Sequence, residues 1–231
     1  MGQYYHPTIL KKNWKLAKQP VAMSLNTWDF DNGLKLMEHS YIGNSVMKAM
    51  EWLLAEIYAG MQLAWVGDYA DGKVTHAYPE KKIDDWYKTE VGTLDIYEKA
   101  GDFMDSECRN SKYQRIKALI PKYEDIPDYK YLVNLTKKEY VVIPAYKPNK
   151  WVVHHLSILC ADGCGRGSGD YGPYSDDEES EKKYDMGLVG CWAYDRILVT
   201  NDKSKIRGFK RLTPHFKERW ACKYSIGYYL K

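Results

Sequence analysis

Two stretches of this chain carry one pattern. Tyr5, Ile9, Lys11, Lys12, Trp14 and Leu16 recur at identical mutual spacings as Tyr131, Leu135, Lys137, Lys138, Tyr140 and Val142. Each reads as an apolar strand, a Lys-Lys turn and a second strand. The later elements also share an order: a short strand, an interruption, and an apolar strand ending in Asp, at 63–68 and again at 197–202. The expectation is an α+β protein with a mainly antiparallel sheet in two pseudo-repeated halves, 1–79 and 129–231, joined by an irregular, partly helical insert at 80–128. A seam between related halves is a favoured place for a ligand.

Within that frame the spacing predicts one prominent amphipathic helix over 41–58. Ile42, Val46, Met50, Leu53 and Ile57 make its apolar face, Ser40 is placed to cap it, and Gly60 follows its last turn. Hairpins are expected at 3–16 and 129–143, with a turn at Asp31-Asn32-Gly33 and a short strand at 34–37. The continuous apolar run 61–66 reads as a buried strand emptying into the loop Gly67-Asp68-Tyr69-Ala70-Asp71-Gly72. Short helices are expected at 94–104 and 113–119, and strands at 151–159 and 190–200.

Composition narrows the class. The 21 Tyr and 8 Trp against 4 Phe supply large apolar bodies with polar tips, which suit half-buried sheet faces and binding surfaces alike. A net charge of +3 is too mild to imply nucleic acid on global grounds. The five cysteines, Cys108, Cys160, Cys164, Cys191 and Cys222, are odd in number and scattered, which argues against a disulfide framework. No stretch is apolar for a membrane span, and no basic start precedes an apolar run. Gly2 follows Met1, but His6 stands where a myristoylation pattern needs Ser or Thr. A cytoplasmic location is expected.

The start Met1-Gly2-Gln3-Tyr4-Tyr5, the run Asn32-Gly33-Leu34-Lys35-Leu36-Met37-Glu38-His39-Ser40 and Gly67-Asp68-Tyr69-Ala70-Asp71 together resemble a family of bacterial and phage proteins with no assigned activity. Asn134-Leu135-Thr136-Lys137-Lys138-Glu139-Tyr140 is similar to that family's first hairpin, and 192–199 to a later strand. The resemblance implies a soluble intracellular protein of phage type and transfers no catalytic residue.

Several constellations could carry chemistry. Glu38 and His39 with Asp68 and Asp71 combine hard oxygen ligands with an imidazole, and Asp68 and Asp71 are the weak metal candidates. Alternatively, Glu38 and Asp68 close turns and His39 bonds backbone. The segment Asp162-Gly163-Cys164-Gly165-Arg166-Gly167-Ser168-Gly169-Asp170 alternates glycines around an arginine. Gly165, Arg166, Gly167 and Ser168 could therefore form an anion nest, or simply a flexible surface loop. It is not a P-loop, because no Gly-Lys-Ser/Thr ends it. His6-Pro7-Thr8 and His155-Leu156-Ser157 share the form of two-histidine phosphoesterase motifs. Cys160 and Cys164 lack a second ligand pair for zinc. The acidic run 176–181 reads as solvated loop. The basic tail 203–231 interleaves Phe209, Phe216, Trp220, Tyr224, Tyr228 and Tyr229 with Lys and Arg, which suits single-stranded nucleic acid or, by its four-residue spacing from Phe216, a closing amphipathic helix.

No complete catalytic set emerges and no cofactor is implied. The expected function is therefore a phage-type accessory binding protein that captures a nucleotide-like ligand or an acidic host protein, with counter-defence as its role. The alternative is a phosphodiester hydrolase, metal-dependent through Glu38, His39, Asp68 and Asp71 or of two-histidine type through His6 and His155.

Overall fold

A computed structural model describes residues 3–17, 19–68, 70, 96–105, 111–147, 150–162, 185–216 and 219–220. Its centre is one eight-stranded sheet. Strands β1 (Tyr5–Leu10), β2 (Val21–Ser24), β3 (Met61–Gly67), β4 (Tyr131–Asn134) and β5 (Glu139–Val142) belong to it, while β6 (Lys150–Trp151) does not. The remaining members are β7 (Ala161–Asp162), β8 (Arg196–Thr200) and β9 (Lys210–Leu212). The order across the sheet is β2-β1-β3-β8-β4-β5-β9, with β7 also on β3. Neighbours run antiparallel except β3 with β7 and β5 with β9. The expectation of a mainly antiparallel α+β architecture holds.

Strand β3 explains why the apolar run 61–66 is legible. Leu63 and Trp65 face a large core with Tyr5 and Ile9, while Ala64 and Val66 face a second cluster with Leu10, Trp14 and Ile96. A strand buried on both faces has no polar side to alternate with.

The prominent helix begins later than its apolar spacing suggests. Tyr41 is bridged to Val153, and Gly43 turns the chain at φ +83. The cap is therefore Asn44, not Ser40: its side chain accepts the Val46 N–H at 2.9 Å. Helix α1 (Leu36–His39) precedes the turn at Gly43, and α2 (Ser45–Trp52) runs directly into a π-helical turn, Leu53–Ile57, in which the Tyr58 N–H reaches back to the Leu53 carbonyl at 2.7 Å. That extra residue per turn shifts the apolar phase. Val46, Met50 and Leu53 are buried as expected, but Ile57 emerges 39 % exposed and Ile42 precedes the helix.

Other local expectations are corrected. β1 pairs with β2 and not with 14–16, which is a single 3-10 turn. The stretch 34–37 is not a strand, since Leu36–His39 is one helical turn capped by Glu38. In the middle segment α3 (Ile96–Met104) and α4 (Lys112–Lys117) are helical as expected, and α3 packs on β1 and β2. Of 151–159 only Trp151 and the bridged Val153 are extended, and α5 (His155–Leu159) is helical. Within 190–200 only Arg196–Thr200 forms the strand. Towards the C-terminus, β10 (Arg219–Trp220) is extended and pairs with β6, which displaces the closing helix at Trp220; residues 221–231 lie outside the described ones.

The repeated six-position pattern does not find a repeated backbone. β4 and β5 join through a tight turn closed by Lys138 at φ 55, whereas Lys11 and Lys12 lead into the 3-10 turn and a longer return to β2. Apolar spacing alone does not encode the turn, and here the turns differ.

Candidate ligand-binding cleft

The residues singled out by sequence are mostly engaged in holding the fold. His39 is fully buried. The Trp65 indole N–H donates to its Nε2 at 3.0 Å, so the ring proton sits on Nδ1 and donates to the Gly33 carbonyl, also at 3.0 Å. Burial pushes this imidazole down to about 4, against a weaker opposing pull from the Gly33 bond. Glu38 Oε2 accepts the Lys35 N–H at 3.0 Å and caps α1. Asp68 Oδ1 accepts the Tyr4 N–H at 3.0 Å, while its own N–H donates to the Tyr4 carbonyl, closing the end of β3. Asp71 lies outside the described residues, as do Cys164, Gly165, Arg166, Gly167 and Ser168.

The two His-x-Ser/Thr motifs are likewise local. Thr8 Oγ1 donates to the His6 carbonyl, and Ser157 Oγ donates to the His154 carbonyl. His6 stacks on Tyr97 at 4.5 Å between ring centres, and His155 meets Phe216 edge-on at 5.4 Å. Burial lowers both imidazoles to about 4. Cys160 is buried, and burial pushes its thiol well above the usual range. Among the described residues no three His, Cys, Asp or Glu side chains cluster as a metal site.

The structure instead assembles a cleft of about 600 Å³ that sequence reasoning missed. It lies between α2, the 123–131 segment, β5 and the 142–146 segment. Its floor is Met47, Glu51 and His154, with Glu51 6 % and His154 1 % exposed. His154 Nε2 lies 2.8 Å from Glu51 Oε1. His154 Nδ1 accepts the Leu156 N–H at 3.2 Å and so caps α5. An acceptor nitrogen carries no proton, so the ring is the neutral Nε2–H tautomer and donates to the carboxylate.

Tyrosines form the walls, and two of their hydroxyls are engaged by the protein. Tyr123 donates to the Gly43 carbonyl at 2.7 Å, and Tyr129 donates to Glu56 at 3.2 Å. Burial and then the Glu56 charge raise the Tyr129 hydroxyl above its ordinary range. Tyr146, half exposed, stands at the mouth above Gly43; a Cβ there would come within 3.3 Å of its ring, so both the backbone angle and the space call for glycine. Lys48 sits 5.3 Å above the Tyr123 ring and pairs with the exposed Asp128 at 2.8 Å. A second groove of about 630 Å³, beside the π-turn and β8, mixes Glu56, Asp202, Arg196 and Lys205.

A signal for the first cleft does exist in the sequence. Glu51 stands one helical turn after Met47 and just before Leu54, both fully buried, so it is a carboxylate on a stripe that the fold covers. His154 carries no such signal, because the His-x-Ser form draws attention to its neighbour His155.

Comparison with family models, with curated proteins and with solved structures gives no match. Among the described residues no helix is long and apolar enough to cross a membrane.

Proposed function

We propose that the protein is a binding protein that captures a nucleotide-like small molecule in the cleft between α2 and the β4–β5 hairpin. The observation that carries this reading is the buried Glu51–His154 pair beneath tyrosine walls. Ligand sites for small molecules have this volume and this build, mostly apolar with a few fixed polar groups. Tyrosine rings offer stacking surface to a base, and Lys48 and Lys130 line the same cleft where a phosphate would need charge.

Capture is favoured over turnover by the state of His154. Both ring nitrogens are committed, one to a helix N–H and one to Glu51. The nearby Ser157 hydroxyl serves the backbone. A general base needs a free nitrogen within reach of the proton it takes. A phage factor that sequesters a host signalling nucleotide would need binding of this kind without chemistry.

Calorimetric titration with linear and cyclic nucleotides tests the proposal, with amide shifts mapped onto Met47, Lys48, Glu51 and Ile143. Saturable binding with shifts at the cleft is expected. Silence for every nucleotide would overturn it, and release of product from a phosphodiester would replace it with the hydrolase reading.

A further inference from the structure

Resting on that reading, we infer that the base admitted to the cleft is guanine, held by its N1–H and exocyclic N2–H₂ against the Glu51 carboxylate. The most buried charged group lining the cleft is an acceptor and not a donor. Glu51 Oε1 takes the His154 bond, and among the described residues no hydrogen bond reaches Oε2. A carboxylate has about four acceptor positions. Oε2 is not one of the buried atoms without a partner, so it opens onto the cleft, where a ligand would take the place of solvent. A ligand that displaces solvent from a carboxylate must bring donors of its own, such as N–H groups.

The common bases differ on that point. Guanine presents two adjacent donors on one edge, spaced to meet both oxygens of a carboxylate. Adenine presents only its N6 amino group, flanked on either side by a ring nitrogen whose lone pair would face the second oxygen. Cytosine has the same conflict between N4 and N3. Uracil offers one N–H between two carbonyls, and hypoxanthine offers N1–H alone. A carboxylate floor therefore selects guanine by attraction and rejects adenine and cytosine by repulsion.

The walls agree with a base and not a phosphate as the selected part. Tyr123 and Tyr129 give their hydroxyls to Gly43 and Glu56 and keep their rings for the cleft. Lys48 and Lys130 can meet a phosphate of any nucleotide, so they do not tell one base from another. Discrimination among nucleotides with the same number of phosphates should thus follow the base.

Titration of the full chain with GMP, IMP and AMP at one ionic strength tests this. IMP should bind about ten-fold more weakly than GMP, and AMP about a hundred-fold more weakly or worse, in keeping with lost or opposed hydrogen bonds to a charged group. Glu51→Gln keeps an acceptor for His154 but turns an amide N–H₂ toward the ligand. Because an amide matches adenine's donor–acceptor edge but has one acceptor oxygen and no charge for guanine's two donors, this variant should narrow the GMP-over-AMP preference by about ten-fold or more. Equal or tighter binding of AMP by the natural chain, with shifts in the cleft, would overturn the guanine assignment and leave nucleotide capture standing. Silence for all three overturns the guanine assignment, and nucleotide capture falls with it only if the other linear and cyclic nucleotides are silent too. Should the variant fail to fold, the GMP-to-IMP ratio of the natural chain decides alone.

Discussion

Acid is the sharpest probe of what the buried histidines do. His39 is neutral in the fold and held near pKa 4, whereas an unfolded chain returns it to about 6.5. Between those values the unfolded state binds the extra proton, so stability is complete above pH 6.5 and falls as pH drops toward 4. At pH 4.5 the linkage relation gives a loss of about 3 kcal/mol from His39 alone. His6 and His155, each lowered to about 4 by burial, lose stability in the same window. Together the three reach about 8 kcal/mol, on the order of a whole domain's stability. Urea unfolding from pH 7.5 to 4.5 should therefore show the midpoint falling steeply below pH 6. His39→Gln keeps an amide donor for Gly33 and a carbonyl for Trp65 but cannot titrate, so its slope should be shallower by about a third. A variant slope equal to that of the natural chain, or a His39 ring that titrates near 6.5 by NMR, would refute the buried-neutral assignment. It would also return His39 to the pool of reactive groups.

Four further outcomes rest on single contacts. Trp65→Phe leaves His39 Nε2 without its donor in a closed core and should cost about 3 kcal/mol by urea unfolding. Asn44→Ala removes the α2 cap and should cost about 1 kcal/mol, read as a lower Tm. Lys138→Gly relieves a left-handed residue at φ 55 and should stabilise by about 0.5–1 kcal/mol after the greater freedom of glycine in the unfolded chain is counted. The Glu51–His154 pair should respond asymmetrically: His154→Ala strands a buried charge and costs about 3 kcal/mol or more, while Glu51→Gln stays within about 1 kcal/mol of the natural chain. Equal costs for the two would mean that the carboxylate is not charged in the fold.

Elements are legible in the sequence where one physical cause sets the pattern. β3 is buried on both faces, and its residues read accordingly. The β4–β5 hairpin shows alternation around a polar turn, and α3 and α4 show helical spacing. Elements mislead where the run is too short for a period to form. Leu36–His39 and His155–Leu159 are one or so turns each, and apolar runs of that length do not separate strand from helix. The cap of α2 is decided by tertiary structure. Ser40 and Asn44 are both able caps, and the Tyr41–Val153 bridge with the turn at Gly43 leaves only Asn44 in place to act.

The site is harder to read for a different reason. Chain reading groups polar residues that are neighbours in sequence, such as Glu38 with His39, and neighbours of that kind are the ones that satisfy each other's turns. The pair beneath the cleft is 103 residues apart and is joined only because the Tyr41–Val153 bridge brings the chain before α5 against the start of α2. The same bridge sets Gly43, the Asn44 cap and the phase of the helix, and that phase is what turns Glu51 inward beside Met47. A leucine at position 51 would suit that stripe better and would spare the fold a buried charge. Retaining a carboxylate there, with a histidine held in one tautomer to meet it, makes sense where something outside the chain supplies the remaining hydrogen bonds.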